Sequence, residues 1–99
     1  MDANNDARET AQVALRRLLE LRTSPSPSIA HVAAIASEVR VPSGSGQTSA
    51  NKSRADAWLA IRKVVRTLEG NNPRTNDLTA FWDRALDLTK IWLQAIDGS

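Results

Sequence analysis

The amino-acid sequence predicts an all-α fold, a compact bundle of four to five helices. Apolar residues recur three and four positions apart in several separate segments, which is the period of an amphipathic helix. No segment of useful length alternates apolar and polar residues, as a half-buried strand would. Clusters of proline, glycine, serine and asparagine separate the segments and are typical of the turns between helices.

The composition is that of one globular domain. The chain has 99 residues, of which 41% are hydrophobic and 24% charged, so we expect a single helical domain over residues 1–99 with frayed ends at 1–5 and 97–99. It has no cysteine, which excludes disulfides and thiolate metal sites. No apolar run approaches the roughly 18 residues of a membrane span, and the first residues are too polar for a secretory signal. We expect a cytoplasmic protein without membrane contact.

The first two predicted helices span about residues 6–22 and 27–39. The stripe of the first comprises Ala11, Leu15, Leu18 and Leu19, with Ala14 and Leu21 flanking it. Ser26 is predicted to cap the second, with Pro27 at its first position, where the missing N–H of proline costs nothing. The stripe of the second comprises Ile29, Val32, Ala33, Ala36 and Val39.

The last two predicted helices are longer. One begins with a capping box at Ser53 and ends at Gly70, which we expect in the left-handed conformation. Its stripe comprises Trp58, Ile61, Val65 and Leu68. The other starts near residue 75 or 76, and its apolar face comprises Leu78, Phe81, Trp82, Ala85, Leu88, Trp92 and Ile96. Trp58 and Trp82 are predicted core residues, whereas Trp92 has the alternative of covering a dimer or interdomain surface.

The segment 41–53 is predicted to be a loop or a short recognition helix. After Val41 it contains no apolar side chain larger than alanine. Gly44 and Gly46 each cost a helix about 1 kcal/mol relative to alanine, and serine, threonine and asparagine favour caps and turns. Any helix here must therefore be short and held by its neighbours.

Catalytic and metal-site signatures are missing from the sequence. His31 is the single histidine and is predicted to lie at or near the surface. Asp83 and Asp87 are four positions apart, but nearby basic residues favour a charge-paired face over a cation site. The glycine–serine run 42–46 lacks the lysine placement and preceding strand of a phosphate-binding loop. We therefore expect no enzymatic activity and no cofactor.

Positive charge is concentrated in the middle of the chain. Residues 40–74 carry seven basic and two acidic side chains, whereas the whole chain has a net charge of only +2. Such a distribution indicates a surface that faces phosphates, with a solvated helix face as the alternative.

The segment 35–54 fits the spacing of a helix-turn-helix. Ala36 supplies the small residue where two helices cross, and Ser43 can cap the second helix, whose first polar residues would enter a major groove. The predicted base-facing residues are Ser43, Ser45, Gln47, Thr48 and Asn51, because glutamine and asparagine bond adenine bidentately. The predicted phosphate-facing residues are Lys52, Arg54, Arg62, Lys63 and Arg66.

Further segments extend this pattern over about residues 10–86. They are 14–22 (ALRRLLELR), 26–29 (SPSI), 57–58 (AW), 61–70 (IRKVVRTLEG) and 81–85 (FWDRA). Their order resembles the lambda-repressor-like (XRE-type) helix-turn-helix domains, especially those abundant in actinobacteria. The resemblance implies a helix-turn-helix-like bundle that binds double-stranded DNA.

Two functions stay open at this point. One is a DNA-binding transcriptional regulator, or the DNA-binding module of a larger protein. The alternative is a helical adaptor module with no DNA binding, which presents the segment 41–54 or the last helix to a protein partner. Both are compatible with a homodimer, a further domain or another protein partner.

Overall fold

The chain folds into a four-helix bundle. The computed structural model describes residues 3–24, 28–41, 46, 48–70 and 75–97. Their helices are α1 (Ala3–Thr23), α2 (Ile29–Val39), α3 (Ser49–Glu69) and α4 (Thr75–Asp97). α1 packs against α2 and α4, and α3 packs against the same two helices, so that α1 and α3 lie diagonally opposite. The prediction of an all-α bundle is confirmed, and the predicted start of the last helix near residue 75 is correct.

α4 runs antiparallel to both α1 and α3. Arg8, near the start of α1, forms an ion pair with Asp97 at the end of α4, while Arg22 near the end of α1 pairs with Asp83. In the same sense, Lys63 in the second half of α3 lies over the ring of Phe81 in the first half of α4. The bundle is elongated, with extents of 43 × 22 × 20 Å.

The core combines small residues with two tryptophans. Alanines on α1 and α3 allow neighbouring helices to approach closely, and Trp82 and Trp92 of α4 belong to the same buried cluster. The indole Nε1 of Trp82 donates a hydrogen bond of 3.0 Å to the carbonyl oxygen of Leu18. The buried apolar residues among those described are Ala11, Ala14, Leu18, Val32, Ile35, Ala36, Val39, Ala57, Ala60, Ile61, Val64, Trp82, Ala85, Leu86, Trp92 and Ile96.

The observed burial of residues in α1 and α2 differs in part from the predicted apolar stripes. Leu19 is 45% exposed and Ile29 is 38% exposed, whereas Ala14 and Ile35 are buried. The centre of the buried stripe on α1 runs through residues 11, 14 and 18, and position 19 is rotated by about 100° from position 18, towards solvent. α2 begins at Ile29 with Ser28 at the N-cap position, while the predicted cap at residues 26–27 lies outside the described residues.

The predicted start of the third observed helix is wrong. α3 begins at Ser49 and is capped by Thr48, so Ser53 belongs to its second turn and residues 49–53 are not a loop. The reason is local: the hydroxyl of Thr48 accepts a hydrogen bond from the backbone N–H of Asn51 at 3.0 Å, which satisfies a donor of the first turn.

The end of α3 also differs from the prediction. Gly70 has φ −67° and ψ 150°, an extended conformation and not the left-handed one. Its N–H still closes the helix by donating to the carbonyl oxygens of Arg66 and Thr67. The described glycine with positive φ is Gly46, at 86°, just before the Thr48 cap.

Trp92 is a core residue. It is 1% exposed, which makes the predicted alternative of a dimer or interdomain surface wrong. Because α4 is antiparallel to α3, its C-terminal half packs against the first turns of α3, where Arg54 covers the ring of Trp92. Among the described helices, none is both long and apolar enough to span a bilayer.

Candidate nucleic-acid interface

The ten predicted DNA-contacting residues divide into three groups. Ser43, Ser45 and Gln47 lie outside the described residues. Thr48 and Asn51 make local contacts at the start of α3, and Arg54 contacts the end of α2. Lys52, Arg62, Lys63 and Arg66 are exposed on α3.

Thr48 and Asn51 form the cap of α3. The hydroxyl and the carbonyl oxygen of Thr48 accept the N–H groups of Asn51 and Lys52, at 3.0 Å each. The side-chain amide of Asn51 donates a hydrogen bond of 3.0 Å back to the carbonyl oxygen of Gly46. A side chain folded back onto its own loop is not extended towards a base, so these two residues do not belong to the interface that the geometry supports.

Arg54 caps a different helix. Its Nε donates to the carbonyl oxygen of Val39 at 2.8 Å, and one terminal nitrogen donates to that of Glu38 at 3.1 Å. These carbonyls belong to the last turn of α2, where a helix has no internal donors. The guanidinium also lies 5.0 Å from the centroid of the Trp92 ring, and this burial lowers the pKa of Arg54 below its ordinary value. Arg54 therefore ties α2, α3 and α4 together and is not free for phosphates.

The remaining four residues define the basic face of α3: Lys52, Arg62, Lys63 and Arg66. All four are exposed. At 100° per residue they occupy the side of the helix opposite the buried Ala57, Ile61 and Val64. Within the described part of the chain, none of their charged groups lies within 4.0 Å of a carboxylate.

Three arginines of α1 are used differently. The guanidinium groups of Arg8 and Arg22 form ion pairs of 2.7 Å with carboxylates of α4. Arg17 approaches Glu38 of α2 at 3.8 Å. These three arginines form ion pairs between helices, whereas the four cations of the basic face have no carboxylate partner among the described residues.

Aromatic rings hold two of the exposed cations in place. The guanidinium of Arg62 lies 5.3 Å from the Trp58 ring centroid, and the ammonium of Lys63 lies 4.6 Å from that of Phe81. The aromatic ring orients the cationic side chain but has no net charge, so it does not neutralise the cation as a carboxylate would. Arg62 and Lys63 are thus positioned for an anionic partner before it arrives.

A shallow cavity of about 600 Å³ lies along this face. It is lined by Trp58, Leu59, Arg62, Lys63, Arg66 and Thr67. Its cations are Arg62, Lys63 and Arg66, and no acidic side chain among the described residues lines it. Such a surface can receive phosphate oxygens.

Metal and catalytic chemistry find no support in the described residues. They contain no group of three His, Cys, Asp or Glu side chains that could hold a metal ion. His31 is exposed on α2, as predicted.

The sequence pattern missed the role of Arg54, although one signal for it existed. Arg54 precedes the buried Ala57 by three positions and Ile61 by seven, which places it on the apolar side of α3. A cation on that side must find partners inside the bundle.

No protein family model, curated protein or solved structure matches the chain.

Proposed function

We propose that this protein binds double-stranded DNA through the basic face of α3, as a cytoplasmic transcriptional regulator or as the DNA-binding module of a larger protein. One observation carries the proposal: four exposed cations share one face of a helix without a carboxylate partner among the described residues. The XRE-type resemblance of the sequence supports the same partner.

The dimensions of the face suit a duplex. Lys52 and Arg66 are 14 positions apart, which corresponds to about 21 Å along α3. Duplex DNA carries one phosphate charge per roughly 1.7 Å of its axis, so several phosphates lie within that length. The major groove, about 12 Å wide, admits an α-helix.

The proposed contacts are mainly to phosphates. Lysine and arginine side chains neutralise phosphates and release counterions, which makes affinity depend on salt and only weakly on sequence. Arginine can also bond guanine bidentately, so Arg62 and Arg66 are the described residues with the best chemistry for reading a base.

The first test is the salt dependence of binding to a random duplex, measured by fluorescence anisotropy. If all four cations contact phosphates, the slope of log K against log salt concentration should be about −3.6. A duplex whose anisotropy does not change at low salt would contradict the proposal and leave the adaptor module as the candidate function.

A matched pair of variants locates the surface. Replacing Arg62 and Arg66 by glutamine should make the slope less steep by about 1.8, because two phosphate contacts are lost. The control replaces Arg16 and Lys90 by glutamine, which changes the net charge equally. Arg16 is exposed on α1, diagonal to α3, and Lys90 shares the face of α4 that carries Asp83 and Asp97 towards α1. An equal effect of both pairs would mean that binding follows net charge and not this face.

A further inference from the structure

A second feature of the surface is the groove between α3 and α4, which we call the α3/α4 groove. It encloses about 320 Å³, its apolar lining includes Leu59, Phe81 and Leu88, and its polar lining consists of Asp56, Lys63 and Arg84. Leu59 is 59% exposed, more than Leu19, Ile29 or Ile91, the other exposed large hydrophobic residues described. Exposed apolar area of this kind beside a groove is typical of a binding surface.

The apolar positions have the spacing of a helix-binding groove. Phe81 and Leu88 are seven positions apart on α4, about 10.5 Å along its axis. A partner helix lying along the groove repeats its own apolar face over the same distance, at positions i, i+3 or i+4, and i+7. Leu59 supplies an apolar contact from the opposite wall, on α3.

The charges at the rim are mainly positive. Lys63 lies at the Phe81 end of the groove, with its ammonium 4.6 Å from the ring centroid, and Arg84 is exposed on α4. Neither has a carboxylate within 4.0 Å among the described side chains. Asp56 is the acidic residue of the rim, and the antiparallel packing places it towards the Leu88 end.

We propose that the α3/α4 groove binds an amphipathic helix of a partner protein whose apolar stripe is flanked by acidic residues. The apolar lining receives the stripe, and Lys63 and Arg84 pair with the acidic flanks. Duplex DNA fits this groove poorly, because a phosphate backbone would leave Leu59, Phe81 and Leu88 without apolar partners. The proposal does not depend on DNA binding.

A second copy of the chain is a less suitable occupant. If the exposed Leu19 of α1 were its apolar contact, Arg16, three positions before Leu19, would face the groove. Arg16 would bring positive charge against Lys63 and Arg84, and like charges that face each other at an interface are unfavourable.

The test uses the full chain and a fluorescently labelled synthetic peptide of about 15–20 residues. The peptide carries leucines at i, i+4, i+7 and i+11 with glutamates on both flanks, and the comparison peptide has the same composition with the leucines dispersed around the helix. We expect saturable binding of the first peptide, with amide chemical-shift changes concentrated on α3 and α4 near the groove. Absence of saturable binding, or equal binding of the dispersed peptide, would overturn the proposal.

Two neutral substitutions of exposed leucines provide a matched pair. Leu59→Gln should weaken peptide binding at least about tenfold, whereas Leu19→Gln on α1 should leave it unchanged. Both positions are about half exposed, and glutamine is a good helix former, so both variants should fold, which circular dichroism verifies. If both variants bind the peptide equally, the groove is not the site.

Substitution of Arg84 separates this proposal from DNA binding. Arg84 lines the α3/α4 groove but not the cavity along the basic face of α3. Arg84→Gln should therefore weaken binding of the peptide with acidic flanks, whereas the salt slope of DNA binding should stay unchanged, because Arg84 is not one of the four proposed phosphate contacts. Sedimentation of the free protein distinguishes the second copy: a concentration-dependent dimer that Leu59→Gln abolishes would assign the groove to self-association and overturn the acidic helix as its occupant.

Discussion

Arg54 joins three helices through one side chain. Its two hydrogen bonds go to the carbonyl oxygens of Val39 and Glu38 at the end of α2, and its guanidinium lies over Trp92 of α4. The planar fork of arginine reaches two acceptors and a ring face at once, which the single ammonium of lysine cannot do. We therefore infer that Arg54 stabilises the packing of α2 against the rest of the bundle.

Replacing Arg54 by alanine should lower the free energy of unfolding by about 2–3 kcal/mol, since hydrogen bonds from a charged donor and the contact with Trp92 are lost. Urea unfolding followed by circular dichroism measures the change. Arg16→Ala is the control, because Arg16 is exposed on α1 and should change stability by no more than about 0.5 kcal/mol. Equal effects of the two variants would show that the contacts of Arg54 contribute little.

At the scale of the element, the first turn of α3 is the main departure from the sequence prediction. Ser53 to Asp56 has the residue types of a capping box, and the residues before it are small and polar. The helix nevertheless extends back to Ser49, because Thr48 caps it and Ala50 packs against the core. A local pattern shows that a cap can form but does not select between two possible caps.

Single substitutions distinguish these two caps. Thr48→Ala should destabilise the protein by about 1 kcal/mol, because the N–H of Asn51 loses its acceptor. Ser53→Ala should be neutral or slightly stabilising, since alanine is the better helix former inside a helix. Thermal unfolding of both variants provides the measurement. A larger loss for Ser53→Ala would place the start of the helix where the sequence pattern predicted it.

α4 shows why its apolar face was easier to predict. The buried side of this helix is broad and includes Trp82, Ala85, Trp92 and Ile96. Residues 82 and 92 differ by about 80° around the helix axis, and both fall within that broad face. A wide apolar face is visible from spacing alone, whereas the narrower stripes of α1 and α2 tolerate exposed Leu19 and Ile29 at their edges.

At the scale of the whole molecule, the ion pairs between helices and the basic face of α3 lie on different sides of the bundle. Ion pairs join α1 to α4 and α2, with side chains that are about half exposed, while the basic face of α3 points outward from the opposite side of the bundle. Exposed ion pairs contribute little to stability, typically no more than about 1 kcal/mol each. Most of the stability should therefore come from the apolar core.

This separation predicts that salt acts differently on folding and on binding. A tenfold rise in salt concentration should change the free energy of unfolding by no more than about 1 kcal/mol. The same rise should weaken DNA binding by roughly three to four orders of magnitude if four phosphates are contacted. Urea unfolding and DNA titration at matched salt concentrations test this. Parallel loss of stability and of binding would attribute the salt effect on DNA to unfolding.

The proposed interface was partly predictable. Lys52, Arg62, Lys63 and Arg66 were predicted to face phosphates from their clustering in the sequence, and the structure places them together on one exposed helix face. The same clustering included Arg54, which lies on the other side of α3 and is half-buried. The local composition shows how many charged residues are present. It does not show which of them bind the free carbonyl groups at the end of another helix.

Spacing and composition within a few turns are enough to predict the helical class, the approximate segments and the basic middle of the chain. The core position of Trp92, the contact of Arg54 with the end of α2 and the place of Leu59 beside a groove became visible only in the folded bundle. Each of these depends on residues far apart in the chain that antiparallel packing brings together. The periodicity of a helix is visible in its own sequence, whereas the packing of neighbouring helices determines which of its side chains are buried.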